Sequence, residues 1–293
     1  YVFIFDKTQY MELSNEGIKT VYYAPLAVNT ERLKRMFENE DAVKSQAYAG
    51  DISFIGSMYN EKHNLYDKLN GVNDYTKGYL DAIMKAQRSI YGYFFLEDML
   101  KGDVLDEMLR VCPVKPNKDG VETVQYVYAN YFLARRMATD ERTDIMSRIG
   151  RELGVKNKIN LYTPDSAVKF INVNNRGTVD YYNEMPYVFR NSRINLNITL
   201  RSIKSGIPLR CMDVCGAGGF LLSNYQEDLY DVFVPGEDMV IYDSIDDLMN
   251  KCKYYLSHDA ERRQIAQNGF GKIEERHTYD IRFEEIFDVV FNG

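Results

Sequence analysis

Short apolar runs alternate with helix-like segments along most of this chain, and that alternation constrains the fold more than any other feature. The runs are Asp51-Ile52-Ser53-Phe54-Ile55, Ile159-Asn160-Leu161-Tyr162-Thr163, Val168–Val173, Ile194-Asn195-Leu196-Asn197-Ile198, Phe220-Leu221-Leu222 and Met239-Val240-Ile241-Tyr242. Most end at Gly, Pro or a polar turn. Between them the spacing predicts helices near Asp180–Asn183, from Pro186 to about Ser192, from Pro208 to about Ala217, over Glu227–Tyr230, Ser244–Ser257 and Asp259–Gly269, and last over Tyr279–Val290. Consecutive strands joined through helices run parallel, and a parallel sheet needs cover on both faces. The expected fold class is therefore α/β, a doubly wound parallel sheet covered on both faces.

Two stretches interrupt the pattern. Residues 75–153 read as almost wholly helical, with Tyr79, Ile83, Ala86 and Ile90 in helical period and a loop at Pro113, Pro116 and Gly120. They are expected to form a helical insertion. Residues 26–47 are polar, carry a short helix near Glu31–Phe37, and read as a linker. Before them stands a strand–helix–strand unit. Residues 1–5 are apolar, Asp6 is placed as an N-cap with Gln9 at the capping-box position, Gly17 ends the helix, and Thr20–Tyr23 is the second strand. After Gly56-Ser57 a further helix is expected from Glu61 to about Leu69.

Charge excludes some partners. The 293 residues carry a formal net charge of −7, with acids and bases interspersed. No basic stripe suited to nucleic acid stands out, and no run approaches the roughly 20 apolar residues of a membrane span. The opening Tyr1–Phe5 is too short for a signal peptide and no Met precedes it, so the chain is expected to be part of a longer protein. Cys112, Cys211, Cys215 and Cys252 lie far from His63, His258 and His277, which reads as reduced thiols in a cytoplasmic protein rather than a zinc site.

In a sheet of this kind ligands bind beyond the carboxyl ends of the strands. The most informative segment there is Ser205-Gly206-Ile207-Pro208-Leu209-Arg210-Cys211-Met212-Asp213. Pro208 suits the first turn of a helix. Gly206 allows close approach to the backbone, and the amides of Gly206 and Ile207 at the helix start can hold an anion. Arg210 offers a guanidinium fork for phosphate, and Asp213 can accept from a vicinal diol such as ribose. An ordinary helix start with a solvated Arg and Asp fits the same spacing. The turn at Gly56-Ser57, with Lys62 beyond it, can hold a diphosphate, against the plainer reading of a surface lysine. The turn at Gly177 with Tyr181 and Tyr182 can receive a base, against ordinary rim aromatics.

These pieces, in order, resemble group 1 glycosyltransferases of the CgeB-like, spore maturation protein branch. The resemblance runs from YYAPLAVNTERL (Tyr22–Leu33) through ISFIGSMYNEKHNLYD, MPYVFRNSRINLNIT and SGIPLRCMDVCGAGGFLLSN to EDLYDVFVPGEDMVIYDSIDDL and YYLSHDAERRQIAQNG. It implies a GT-B fold, two facing Rossmann-like domains with a cleft between them. Residues 48–278 would be the carboxyl-terminal, nucleotide-sugar-binding domain, residues 1–47 a remnant of the amino-terminal domain with its linker, and residues 279–293 a crossover helix with an exposed apolar face. The implied activity is transfer of a sugar from a nucleoside-diphosphate-sugar donor to an unidentified acceptor, retaining and metal-independent, with no cofactor. Lys62 and Arg210 would be catalytic, countering charge on the departing diphosphate. Gly56, Ser57, Gly177, Tyr182, Ser205, Gly206, Ile207 and Asp213 would bind donor. Ser57 and Ser205 depart from the family, which has Arg and Glu there. Those departures favour one alternative, a non-catalytic sugar-nucleotide-binding or scaffold module; a sugar-nucleotide epimerase or hydrolase on the same fold is a further one. Without the rest of the amino-terminal domain, weak donor binding and no transfer is the corresponding expectation.

Overall fold

A computed structural model of the chain describes residues 1–38, 42–60, 64–116 and 122–292. The chain divides into two compact units, one of Tyr1–Gly56, Ser147–Thr199 and Ile203–Gly293, the other of Ser57–Met146 and Leu200–Ser202.

The first unit carries two parallel sheets. The smaller pairs β1 (Val2–Ile4) with β2 (Val21–Tyr23), Val2 opposite Val21 and Ile4 opposite Tyr23. Between them lies the Lys7–Asn15 helix, capped by Asp6, whose Oδ1 accepts the amide of Gln9 at 2.9 Å. Gly17 closes it at φ 85°, a left-handed conformation that glycine adopts without steric cost.

The larger sheet contains β3 (Gly50–Ile55), β4 (Ile159–Tyr162), β5 (Val173–Asn175), β6 (Ser192–Asn197), β7 (Leu221–Asn224) and β8 (Val240–Tyr242). Their spatial order is β5-β4-β3-β6-β7-β8, every pairing parallel. Strand order reverses between β3 and β6, where Ile52 stands opposite Ile194 and Phe54 opposite Leu196. That reversal is the topological switch point of a doubly wound sheet, as the alternating pattern requires. From its strands, Ile55, Tyr162 and Leu221 enter one core with Val28, Leu33, Val188, Phe189, Met212 and Val214. A polar seam crosses the sheet. Ser53 Oγ donates to Asn195 Oδ1 at 3.0 Å, and Asn197 Nδ2 donates to Ser223 Oγ at 2.9 Å. Paired in this way, buried polar groups cost little.

Several elements differ from expectation. The strand expected at Val168–Val173 begins only at Val173 and continues into Asn174 and Asn175. It is an edge strand, and Asn175 Nδ2 is satisfied by the carbonyls of Asp165 and Val168 at 2.9 and 3.0 Å. No helix forms at 180–183. Asp180 Oδ1 takes the amides of Tyr182 and Asn183 instead, making a side-chain-closed turn. Among the described residues of the linker, Thr30–Glu38 and Ala42–Tyr48 are helical. The helix expected to stop at Gly269 runs from Asp259 to Arg276.

The final helix, Tyr279–Asn292, shows the anticipated apolar face. Tyr279, Phe283, Phe287 and Phe291 form a ladder with rings 5.9–6.0 Å apart, and Phe291 is 76% exposed.

The second unit is helical, as its periodicity predicted, with Asp74–Arg88, Gly102–Val111 and a π-helical turn at Tyr128–Leu133 leading into Ala134–Glu152. Its own core gathers Leu80, Leu96, Met108, Tyr128, Leu133 and Met137. Of the helix expected at 61–69, Leu65–Leu69 forms a 3-10 turn, and Glu61–His63 lie outside the described residues. Among the described residues no helix is long and apolar enough to cross a membrane.

Candidate functional site

Asp213 organises the site. It projects from the Leu209–Gly216 helix, which follows β6 and for which Pro208 supplies the cap at φ −60° and ψ 145°. Asp213 lines a cleft of about 100 Å³ together with Tyr181, Tyr182, Phe189, Arg32 and Tyr279. Tyr181 donates its hydroxyl to Asp213 Oδ1 at 2.9 Å. Asp213 Oδ2 is buried and has no hydrogen-bond partner among the described residues. A buried carboxylate oxygen in that condition carries a desolvation cost that a donor from outside would relieve. Burial pushes the carboxyl up to about 6, against the pull of the Tyr181 hydroxyl and of Arg210 and Arg32. Burial and the neighbouring Asp213 charge likewise hold the Tyr181 phenol well above its ordinary value.

Aromatic rings wall the cleft. Tyr181 and Tyr182 meet edge to face at 5.0 Å. Arg32 donates to the Tyr182 carbonyl at 2.7 Å and lies 5.4 Å over the Tyr182 ring. Arg32 is itself placed by Asn29, whose Oδ1 accepts the Arg32 amide at 2.9 Å. Arg32 and Tyr279 were not legible as site residues, since the fold brings them in from the linker and the last helix.

Arg210 lies on the same helix as Asp213. Its guanidinium contacts the sulfur of Met185 and sits 5.4 Å over the Phe189 ring. Burial lowers its pKa, opposed by the charge of Asp213.

The start of this helix corrects one expectation. Gly206 was read as offering a free amide to a ligand anion, but an anion of the chain itself occupies it. Asp6 Oδ2 accepts the amides of Ser205 and Gly206, each at 3.1 Å. Ser205 Oγ donates to Asp6 Oδ1 at 3.2 Å and accepts the Thr8 amide at 3.0 Å. A Cβ on Gly206 would fall 2.9 Å from Asp6 Cα and 3.0 Å from the Phe5 ring, so the glycine is needed for a close approach, made here by Phe5 and Asp6. Ile207 is buried in the core.

The remaining expected residues stand elsewhere. Gly177 makes its turn at φ 75°, its amide on Asn175 Oδ1 at 3.0 Å, and does not line the cleft. Gly56 ends β3 with its amide on the Tyr162 carbonyl at 3.0 Å. Ser57 belongs to the second unit, where its carbonyl accepts from Arg142 and its Oγ accepts the amide of Tyr59 at 2.9 Å. Tyr59 holds φ 53°, a strained conformation for a tyrosine, under the Arg142 guanidinium at 4.7 Å. Lys62 lies outside the described residues. Cys211 and Cys215 share the buried face of their helix as free thiols, Cys211 pushed up to about 12 by burial.

Comparison with known proteins identifies the family and the fold. A family model described as glycosyl transferase-like matches residues 142–288. No curated protein matches the chain. Among solved structures, HepE of Anabaena, crystallised with UDP and glucose, is similar at a TM-score of 0.53 and 7% identity, over 100% of this chain and 63% of that one. The same protein with UDP alone gives 0.50 and 8%, over 100% and 64%. Sucrose-phosphate synthase of Thermosynechococcus elongatus gives 0.49 and 12%, over 99% of this chain and 58% of its own. The chain thus spans less than two thirds of the length of each. A family model covering half of the sequence, on a six-stranded doubly wound sheet, shows that this chain belongs to the glycosyl transferase-like family and carries a Rossmann-like unit of the GT-B glycosyltransferase fold.

Proposed function

We propose that this chain is the donor-binding part of a retaining, metal-independent glycosyltransferase of the CgeB-like branch, acting in the cytoplasm on a nucleoside-diphosphate sugar. The observation that carries this reading is the unpartnered Oδ2 of Asp213 in an aromatic-walled cleft. A vicinal diol supplies two hydroxyl donors, one of which satisfies that oxygen, while a planar base stacks on Tyr182. Arg210, one helical turn before Asp213, takes the diphosphate side. Each fixed charge of this kind is worth on the order of 3 kcal/mol on a departing oxyanion. UDP is the first nucleotide to test, because HepE, which shares the fold, was crystallised with it.

The amino-terminal strand–helix–strand and the exposed ladder on the last helix fit a second Rossmann-like domain that covers them, in keeping with the greater length of HepE. In that arrangement the acceptor, whose identity is open, meets the donor only when both domains are present.

One observation favours the second reading, a sugar-nucleotide-binding or scaffold module without catalysis. Asp6 places a negative charge on the amides of Ser205 and Gly206, where a diphosphate would otherwise lie. Calorimetric titration of UDP and GDP into wild type, Arg210→Ala and Asp213→Ala separates the outcomes. Binding by wild type that weakens at least tenfold in both variants is expected. If neither nucleotide binds wild type, the donor site is wrong. Tight binding with no hydrolysis or transfer from any sugar nucleotide, in the full-length protein, establishes the module without catalysis.

A further inference from the structure

A cavity of about 470 Å³ opens at the opposite end of the sheet, by the amino ends of β6 and β7. Its size falls within the range of roughly 300–1,000 Å³ usual for small-molecule sites. One face of the Asp259–Arg276 helix forms a wall, presenting Arg262, Arg263, Gln267 and Phe270 at helical spacing. Arg190, from the end of the Met185–Asn191 helix, and Arg193, from β6, face it. Among the described residues no carboxylate lines the cavity. In a chain with a net charge of −7, four arginines around one cavity with no lining acid is a local reversal of sign.

The counterions do not balance it. Asp259 is shared by three guanidinium groups, with Arg262 at 2.5 Å, Arg263 at 2.8 Å and Arg193 at 3.5 Å. Asp51 takes a second nitrogen of Arg193 at 3.1 Å. Arg190 has no carboxylate partner among the described residues, and its guanidinium lies 4.4 Å over the Phe37 ring. Arg262 is held rigidly, 9% exposed at its side chain, with Nη1 on the Arg193 carbonyl at 2.9 Å. Arg263, paired with Asp259 on one side, is 75% exposed at its side chain and lies beside the opening.

We propose that this cavity binds a small phosphate-bearing anion at a site separate from the Asp213 cleft. Guanidinium forks match two phosphate oxygens at once, and a fixed Arg262 beside the exposed Arg190 and Arg263 gives a partly preorganised receptor. Phe270, half-buried, supplies an apolar wall for whatever carries the phosphate. Attraction by four guanidinium groups over few counterions is strong at low salt and screened at high salt.

Inorganic pyrophosphate is the probe, titrated calorimetrically at constant ionic strength into the whole chain, with sodium chloride as the matched control. Wild type is expected to bind it, with affinity falling at least tenfold in an Arg190→Gln, Arg263→Gln double variant. Both side chains are exposed, so the variant should keep its circular dichroism and its UDP affinity. Arg210→Ala should do the reverse, weakening UDP while leaving pyrophosphate at this site in place. The proposal is overturned if pyrophosphate binds the double variant as tightly as wild type, if chloride reproduces its heat, or if wild type takes up none.

Discussion

The carboxylate of Asp6 holds the backbone amide of Gly206 at 3.1 Å across two hundred residues of sequence, and the same carboxylate caps its own helix through Gln9 at 2.9 Å. One buried side chain therefore joins the amino-terminal unit to the start of the site helix. Asp6→Ala removes an N-cap, worth about 1 kcal/mol, and strands two buried amides at about 1–3 kcal/mol each. A stability loss of about 3–7 kcal/mol is expected by urea denaturation, with faster hydrogen exchange at Gly206. Asp6→Asn keeps the cap and should lose roughly half as much. Because the variant also removes a negative charge from the helix start, UDP affinity should rise rather than fall. Unchanged exchange at Gly206 would falsify the link.

What the sequence disclosed follows from the range of the physics involved. Features closed within a few residues were legible: the Asp6 cap, the Gly17 terminator, the helix after Pro208, and the alternation that specifies a parallel sheet. Features closed across the fold were not. Gly206 was read as a point of close approach for a ligand, whereas Asp6 and Phe5 of the chain make the approach, and nothing local in the sequence says so. Arg32 sits in a polar stretch that reads as linker, and only the folded chain sets it over Tyr182. Gly269 reads as a helix stop, but it is a packing contact. Asp180 reads as a helix start because the same side chain that caps a helix can also close a turn.

Asp213 gives the site a pH dependence. Its folded pKa is raised to about 6 from 3.8, chiefly by burial. The folded state therefore holds this proton more firmly, and the group's contribution to stability is greatest below pH 3.8 and is lost as pH rises through 6. Binding runs the other way, since the ionised carboxylate is the better acceptor for a diol. UDP affinity is expected to rise by about tenfold between pH 5 and 7.5 through this group, the equivalent of ~1.4 kcal/mol. The same titration with Asp213→Asn isolates it, because protonation of the phosphates affects both proteins equally. Parallel pH curves for the two would remove Asp213 from the site.

His277 supplies the opposite sign. It is buried at the start of the last helix, its carbonyl accepting the Val28 amide at 2.9 Å and its Nδ1 facing Arg282 Nη2 at 3.0 Å. Burial, together with Arg282 and Arg276, holds the imidazole down to about 4 from 6.5. Stability from this neutral ring is complete above pH 6.5 and is lost as pH falls through 4, at most ~3 kcal/mol. Acidification is expected to loosen the Tyr279–Asn292 helix before the sheet unfolds. Hydrogen exchange at pH 7 and 4.5 should show this in wild type and much less in His277→Gln. Equal acid sensitivity in that variant would assign the loosening to another group.

Two glycines on one helix offer a matched pair. A Cβ at Gly269 would lie 2.4 Å from the Asp238 carbonyl oxygen and 3.5 Å from Cys215 Sγ. The first contact is with backbone, which cannot rotate away, so Gly269→Ala must push the helix off its neighbour. Overpacking of this kind costs about 1–3 kcal/mol. Gly271, two residues on in the same Asp259–Arg276 helix, has nothing within 4 Å of its virtual Cβ. There the substitution acts only on the unfolded chain and on helix propensity, so Gly271→Ala should stabilise by about 0.5–1 kcal/mol. Thermal denaturation of both variants tests the register of this helix against the loop at Asp238. Opposite signs are expected, and two stabilising substitutions would mean that the helix does not pack on that carbonyl.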